Sequence, residues 1–221
     1  MNINDITQGL TYFLAMLFAL TFHESAHALV SHLLGDDTAK SQGRLSLNPA
    51  VHMDMLGTVI LPLICAIFKA PFIGWAKPVP YDERNFKHPI RDSMLTAGAG
   101  PLANLLLGFL CMIFIGLNGK YEWSLFQDGQ FLSPFINLAS AMIYVNGMLA
   151  FLNLIPLPPL DGATIMRAFV SRDFWERYES VVAPYGFFIF LMLAFSGGLA
   201  WIGSLTMIYI QILKILAGSI L

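Results

Sequence analysis

Apolar and polar positions along the chain divide it into five long apolar stretches, roughly 6–34, 55–70, 94–116, 135–155 and 181–216, joined by short polar segments. A helix that crosses a bilayer needs about 20 apolar residues, and all but the second stretch reach that length. The first is ended by Gly35-Asp36-Asp37 and reads as one helix. It is expected to be retained: no Lys or Arg precedes its apolar core, no small-residue cleavage site follows, and it carries a His-Glu pair. The 55–70 stretch is short and holds Pro62 in its middle, which predicts a re-entrant or surface-lying element. Residues 39–54 are polar with brief alternation around Ser46 and predict a small β-hairpin. Four prolines make 70–91 irregular or extended chain. Gly197-Gly198 interrupts the last stretch, which is one long span or two short helices. The fold class expected is an all-α polytopic membrane protein of four to six membrane helices, forming a single domain over 1–221.

Composition agrees with that pattern. The chain is 57% hydrophobic and only 12% charged, about half the charged share of a soluble domain, so most of its exterior must face lipid. A net charge of −2 with no basic tail or stripe excludes a nucleic-acid partner. Cys65 and Cys111 lie within apolar stretches and read as small buried hydrophobes.

Candidate chemistry begins in the first stretch, at Phe22-His23-Glu24-Ser25-Ala26-His27. On a helix, positions i and i+4 share a face, so His23 and His27 can offer two imidazole nitrogens to one ion, with Glu24 near enough to act as general base. Three polar groups within five residues of a membrane helix need a shared reason, because nothing in lipid satisfies them. A zinc hydrolase takes three protein ligands and leaves the fourth position to water. His32 lies too far round the helix to join the pair, and His52 and His88 fall in polar loops where solvated histidines are expected. Asp161 is the outstanding carboxylate, after the prolines at 156, 158 and 159; it is a third ligand, the N-cap of a following helix, or both. Asn104, in Gly100-Pro-Leu-Ala-Asn104, is an amide inside a span and must find a helix, a substrate strand or the reacting carbonyl oxygen. Gly98, Gly100 and Ala103 beside it suggest close helix contact.

Together, His23-Glu24-x-x-His27, Gly100-x-x-x-Asn104 and Asn153-x-x-Pro156 leading to Asp161-Gly162 resemble the site-2 protease family of intramembrane zinc metalloproteases, over roughly 13–167. The resemblance implies one Zn²⁺ held by His23, His27 and Asp161, with Glu24 activating water. It also implies substrates that are themselves transmembrane helices, unwound for cutting. The chain resembles a compact subgroup without PDZ or CBS domains. Arg44, Leu45, Ser46, Leu47 and Asn48 are then either a strand for pairing with an unwound substrate or a solvated loop, Asn104 a further donor to the reacting oxygen, and Trp75–Pro80 either an entrance lining or a packing turn. The competing readings are a membrane metal transporter using the same ligands and a non-catalytic family member that binds membrane helices.

For the imidazoles and Asp161 to meet, 55–70 must not cross the membrane. One face then holds Lys40, Arg44, Lys69, Lys77, Arg84, Lys87, Arg91, Arg167, Arg172 and Arg177, ten of the 12 basic residues. The positive-inside rule makes that face cytoplasmic, with the protein in the plasma (inner) membrane.

Overall fold

A computed structural model describes residues 3–68, 74–121 and 132–220. Among these residues, five helical segments are long and apolar enough to cross a membrane: Asp5–Leu33, Pro89–Gly119, Ser133–Asn153, Arg172–Phe195 and Ala200–Gly218. They belong to α1 (Ile3–Leu33), α5 (Pro89–Tyr121), α6 (Ser133–Asn153), the pair α8 (Arg172–Val182) and α9 (Gly186–Phe195), and α10 (Ala200–Ile220). Between the first two lie the short helices α2 (Thr38–Ser41) and α3 (Pro49–His52), a π-helical turn Met55–Ile60 and α4 (Leu61–Phe68). α7 (Asp161–Arg167) follows the proline-rich loop after α6.

α1, α5 and α6 pack against one another and form the core. In lipid there is no hydrophobic drive between helices, so close van der Waals approach through small residues must hold them. Ala15, Ala19, Ala139, Ala141 and Ala150 supply it, each buried. α10 is keyed to this trio by Tyr209, whose hydroxyl donates to the Leu105 carbonyl at 2.6 Å. A Cβ on Gly108 would lie 2.4 Å from that hydroxyl oxygen, and one on Gly147 would lie 3.1 Å from the ring.

The element at 55–68 is too short to span, as its length predicts. The last apolar stretch is two segments, broken where Gly197 takes φ +78°. The β-hairpin expected over 39–54 does not form, and no strand occurs among the described residues. Gly43, at φ +68°, turns the chain after α2 instead. Asn48-Pro49, which ends the alternation, begins a helix: the Asn48 side chain accepts from Ala50 N and proline occupies the first turn. Two alternating leucines are too few to outweigh a helix start.

Candidate metal centre

On α1, His23 and His27 stand one turn apart with their Nε2 atoms 3.0 Å from each other. Asp161 Oδ2 approaches them at 3.1 and 3.4 Å. Bonds of about 2.0–2.2 Å to a tetrahedral zinc would separate its ligand atoms by about 3.3 Å, so one ion fits this triangle.

Hydrogen bonding on the far side of each ring decides what the triangle presents. His27 Nδ1 lies 2.7 Å from the Thr96 carbonyl, which can only accept, so Nδ1 carries the proton. His23 Nδ1 lies 2.7 Å from Asn104 Oδ1. Asn104's orientation follows from its Nδ2, which donates to the Ala19 carbonyl at 3.0 Å and to Asn146 Oδ1 at 2.7 Å. Asn146 in turn donates to the Met142 carbonyl at 2.8 Å. His23 Nδ1 therefore donates as well. Both Nε2 atoms point at Asp161 Oδ2, a buried atom without a hydrogen-bond partner. With both rings neutral and protonated at Nδ1, three lone-pair atoms would meet at this distance, an arrangement that a cation between them relieves. The donor set of two imidazoles and a carboxylate suits Zn²⁺.

Gly100 makes room for the centre. A Cβ there would fall 2.5 Å from both His23 Cε1 and His27 Nε2. Asp161 is the first residue of α7, and its side chain faces the imidazoles while Leu160 occupies the N-cap position without a side-chain bond. The preceding loop is clamped from two sides. Tyr178 donates its hydroxyl to the Pro156 carbonyl, and Gly186 lets α9 sit directly on Pro158, where a Cβ would overlap the carbonyl oxygen. Gly162 likewise fits only because it has no Cβ, which would lie 2.3 Å from the Ile155 carbonyl oxygen.

Glu24 is buried beside the histidine pair. Its Oε2 accepts from the Val79 amide at 2.9 Å, and no hydrogen bond among the described residues reaches Oε1. Val79 lies in an extended strap, residues 74–82, that passes over this end of α1. The strap is tied down at Trp75, whose amide donates to Gly57 O at 3.2 Å, and at Lys77, whose amide donates to His52 O at 2.9 Å. Its far end is fastened by Asp36. That carboxylate accepts from Thr38 Oγ1 and Asn85 Nδ2 through Oδ1 and from Asp82 N through Oδ2. Burial alone would raise the Asp36 pKa, but the bonds from Thr38, Asn85 and Asp82 outweigh it and hold it below the usual aspartate value. Arg167 on α7 closes the ring through its 2.7 Å ion pair with Glu83.

Some expected roles change. Asn104 has no amide hydrogen left for a reacting oxygen, because both are taken by Ala19 and Asn146. The 44–48 run is not a strand and is used internally. Arg44 is buried on the Lys77 and Pro78 carbonyls. Leu45 packs on Ala28, Ala39 and Val79. Ser46 O accepts from Ser25 Oγ at 2.6 Å, and Asn48 caps α3. Leu47 alone among the five presents a large apolar side chain outward. His52, expected in solvent, is buried against Ser46 O. Gly98 makes no close approach, whereas Gly100 does. Thr96, Asn146, Val79 and Asp36 were not foreseen. Asn146 had a signal, a lone amide in an apolar span; the Thr96 carbonyl had none.

Three comparisons bear on the chain. The peptidase family M50 model matches residues 122–193. The protein named "Putative zinc metalloprotease YwhC" of Bacillus subtilis (strain 168) is 39% identical over 185 residues, covering 81% of this chain and 78% of that protein. "Putative zinc metalloprotease Rip2" of Mycolicibacterium smegmatis is 26% identical over 181 residues, covering 80% of this chain and 63% of its own length. No solved structure matches.

Proposed function

The chain belongs to peptidase family M50, the site-2 proteases, and from that premise we propose that His23 Nε2, His27 Nε2 and Asp161 Oδ2 hold a single Zn²⁺ while Glu24 serves as the general base. It is an intramembrane zinc metalloprotease. The observation that carries the ligand assignment is the convergence of three potential ligand atoms, two imidazole nitrogens and a carboxylate oxygen, within 3.4 Å of one another.

When bound there, zinc acidifies a water and polarises the scissile carbonyl. Every other role falls to the chain. Asn104, backed by Asn146, and the Thr96 carbonyl hold the two rings in the tautomer that leaves Nε2 free. Gly100 keeps the space beside the rings open. Glu24, with Oε1 unengaged, takes the proton from the water and returns it to the leaving amine. α5, α6 and α7 shield the site from bulk solvent.

The substrate class we infer is the transmembrane helix of another membrane protein. A helix hides its carbonyls in its own hydrogen bonds, so the segment to be cut must unwind first. The excess of Lys and Arg on the loops around Asp36, Lys77 and Arg167 supports a centre nearer the cytoplasm of the plasma (inner) membrane.

The test uses detergent-purified protein and a transmembrane peptide. Wild type should hold one zinc per chain and cleave, and a chelator should stop it. His23→Ala and Asp161→Ala should lose both metal and cleavage, while Glu24→Gln should keep the metal and lose cleavage. Full zinc occupancy in Asp161→Ala would rule that ligand out, and cleavage by Glu24→Gln would rule out the base.

A further inference from the structure

The hydrolytic reading leaves the run Lys77-Pro78-Val79-Pro80 without a part. Proline has no N–H, so across residues 78–80 only Val79 can donate from its backbone. Its one amide hydrogen goes to Glu24 Oε2, 55 residues away in sequence, in a buried contact. The flanking prolines fix their own φ and restrict Lys77 and Val79 before them, which limits how far that amide can swing.

Beyond the Lys77 amide bond to His52, the run is held by a side chain, Arg44. The side chain is 6% exposed and its Nη2 donates to the carbonyls of Lys77 and Pro78, the two residues immediately before Val79. Among the described residues it pairs with no carboxylate, and its Nε has no partner. Burying a guanidinium with incomplete pairing is unfavourable, so a plain turn would be better served by an uncharged residue. The planar Nη2 of Arg44, however, carries two hydrogens in fixed directions and spends them on two adjacent carbonyls at once.

We propose that Arg44 and the Lys77–Pro80 strap position the general base: the guanidinium sets the strap, the strap aims the Val79 amide, and the amide pins Glu24 Oε2 so that Oε1 is the oxygen that takes the proton. The inference rests on Glu24 being the base. Neither Arg44 nor Val79 is among the proposed ligands, and both act through Glu24, which makes them positioning residues. A flexible carboxylate pinned at one oxygen spends more of its time in the reactive geometry, and displacement of about 1 Å can cost on the order of 100-fold in rate.

Two measurements test this on the full-length zinc-loaded enzyme. In the first, Arg44→Ala should lower kcat by about 10- to 100-fold with KM and zinc per chain unchanged, and Arg44→Lys, which keeps a donor, should recover part of the loss. In the second, hydrogen–deuterium exchange reads Val79 as the one exchangeable amide within 78–80. Its protection should be kept in Glu24→Gln, which retains an acceptor oxygen, and lost in Glu24→Ala, a readout that needs no Arg44 variant to fold. Val79 protection indifferent to Glu24→Ala, or Arg44→Ala with wild-type kcat, would overturn the positioning role while an inactive Glu24→Gln left the base intact. An active Glu24→Gln would remove both.

Discussion

Gly100 shows how much of this centre turns on single atoms. His23 and His27 face α5 at a residue with no side chain, and the nearest imidazole atoms lie where the first carbon of one would go. Gly100→Ala must push the rings apart or push α5 away, because backbone and ring atoms lack the freedom of a flexible chain end. Overpacking of this kind costs about 1–3 kcal/mol, and here the displaced atoms are the donors. The expected outcome is a folded protein of lowered Tm with zinc content cut several-fold, read by metal analysis beside a thermal melt. Wild-type zinc with a wild-type melt would show that α5 does not press on the rings. Asn104 teaches the same lesson from the other side. Its sequence marks it as an amide in lipid that needs partners, and only its contacts reveal that it orients a ring and has nothing left for a substrate.

Among elements, the loops at the C-terminal end of α1 behave as one body because Asp36 joins them. It ties the end of α1 to α2 and to the turn Glu83–Asn85, and so fastens the strap that reaches Glu24. Asp36→Ala leaves the Asn85 amide and the Asp82 N–H without their acceptor, a loss on the order of 3 kcal/mol. The pH dependence follows from the lowered pKa. A carboxyl depressed on folding contributes stability fully above its unfolded pKa of about 3.9. That contribution fades as pH falls through the lower folded value. Melts of wild type and Asp36→Ala should therefore differ most at neutral pH and converge in acid, and a constant difference down to pH 2 would refute the carboxylate's role. α7 depends on its neighbours in the same way. Seven residues make too short a helix to stand alone, and Tyr178, Gly186 and Arg167 hold it where Asp161 meets the imidazoles.

For the whole molecule, the consequential choice is that 55–68 does not cross. Its failure to span keeps residues 34–54 and 74–88 on one side, where Asp36 bonds Asp82 and Asn85, and Arg44 bonds Lys77 and Pro78. Reporter fusions at Ser46 and at Tyr81 should therefore register the same compartment, the cytoplasm by the charge bias. Opposite compartments would contradict the fold. α1, α5 and α6 then deliver the histidine pair, its orienting amide and the loop bearing Asp161 to that side, with α10 packed behind.

The first, third and fourth apolar stretches as spans and the pairing of His23 with His27 were legible in the chain alone, because lipid thickness sets helix length and helical geometry places i over i+4 whatever surrounds them. Gly197-Gly198 marked an interruption but left one long span or two helices open. Asp161 stood out because an aspartate beside an apolar span is costly without a partner. The hairpin at 39–54 and the solvated His52 were misread, since a polar segment looks like a loop whether or not other segments bury it. Which backbone groups meet the site could not be read at all. Nearly every residue carries the same N–H and C=O, so that Val79 serves Glu24 and Thr96 serves His27 was decided by how the helices and the strap pack.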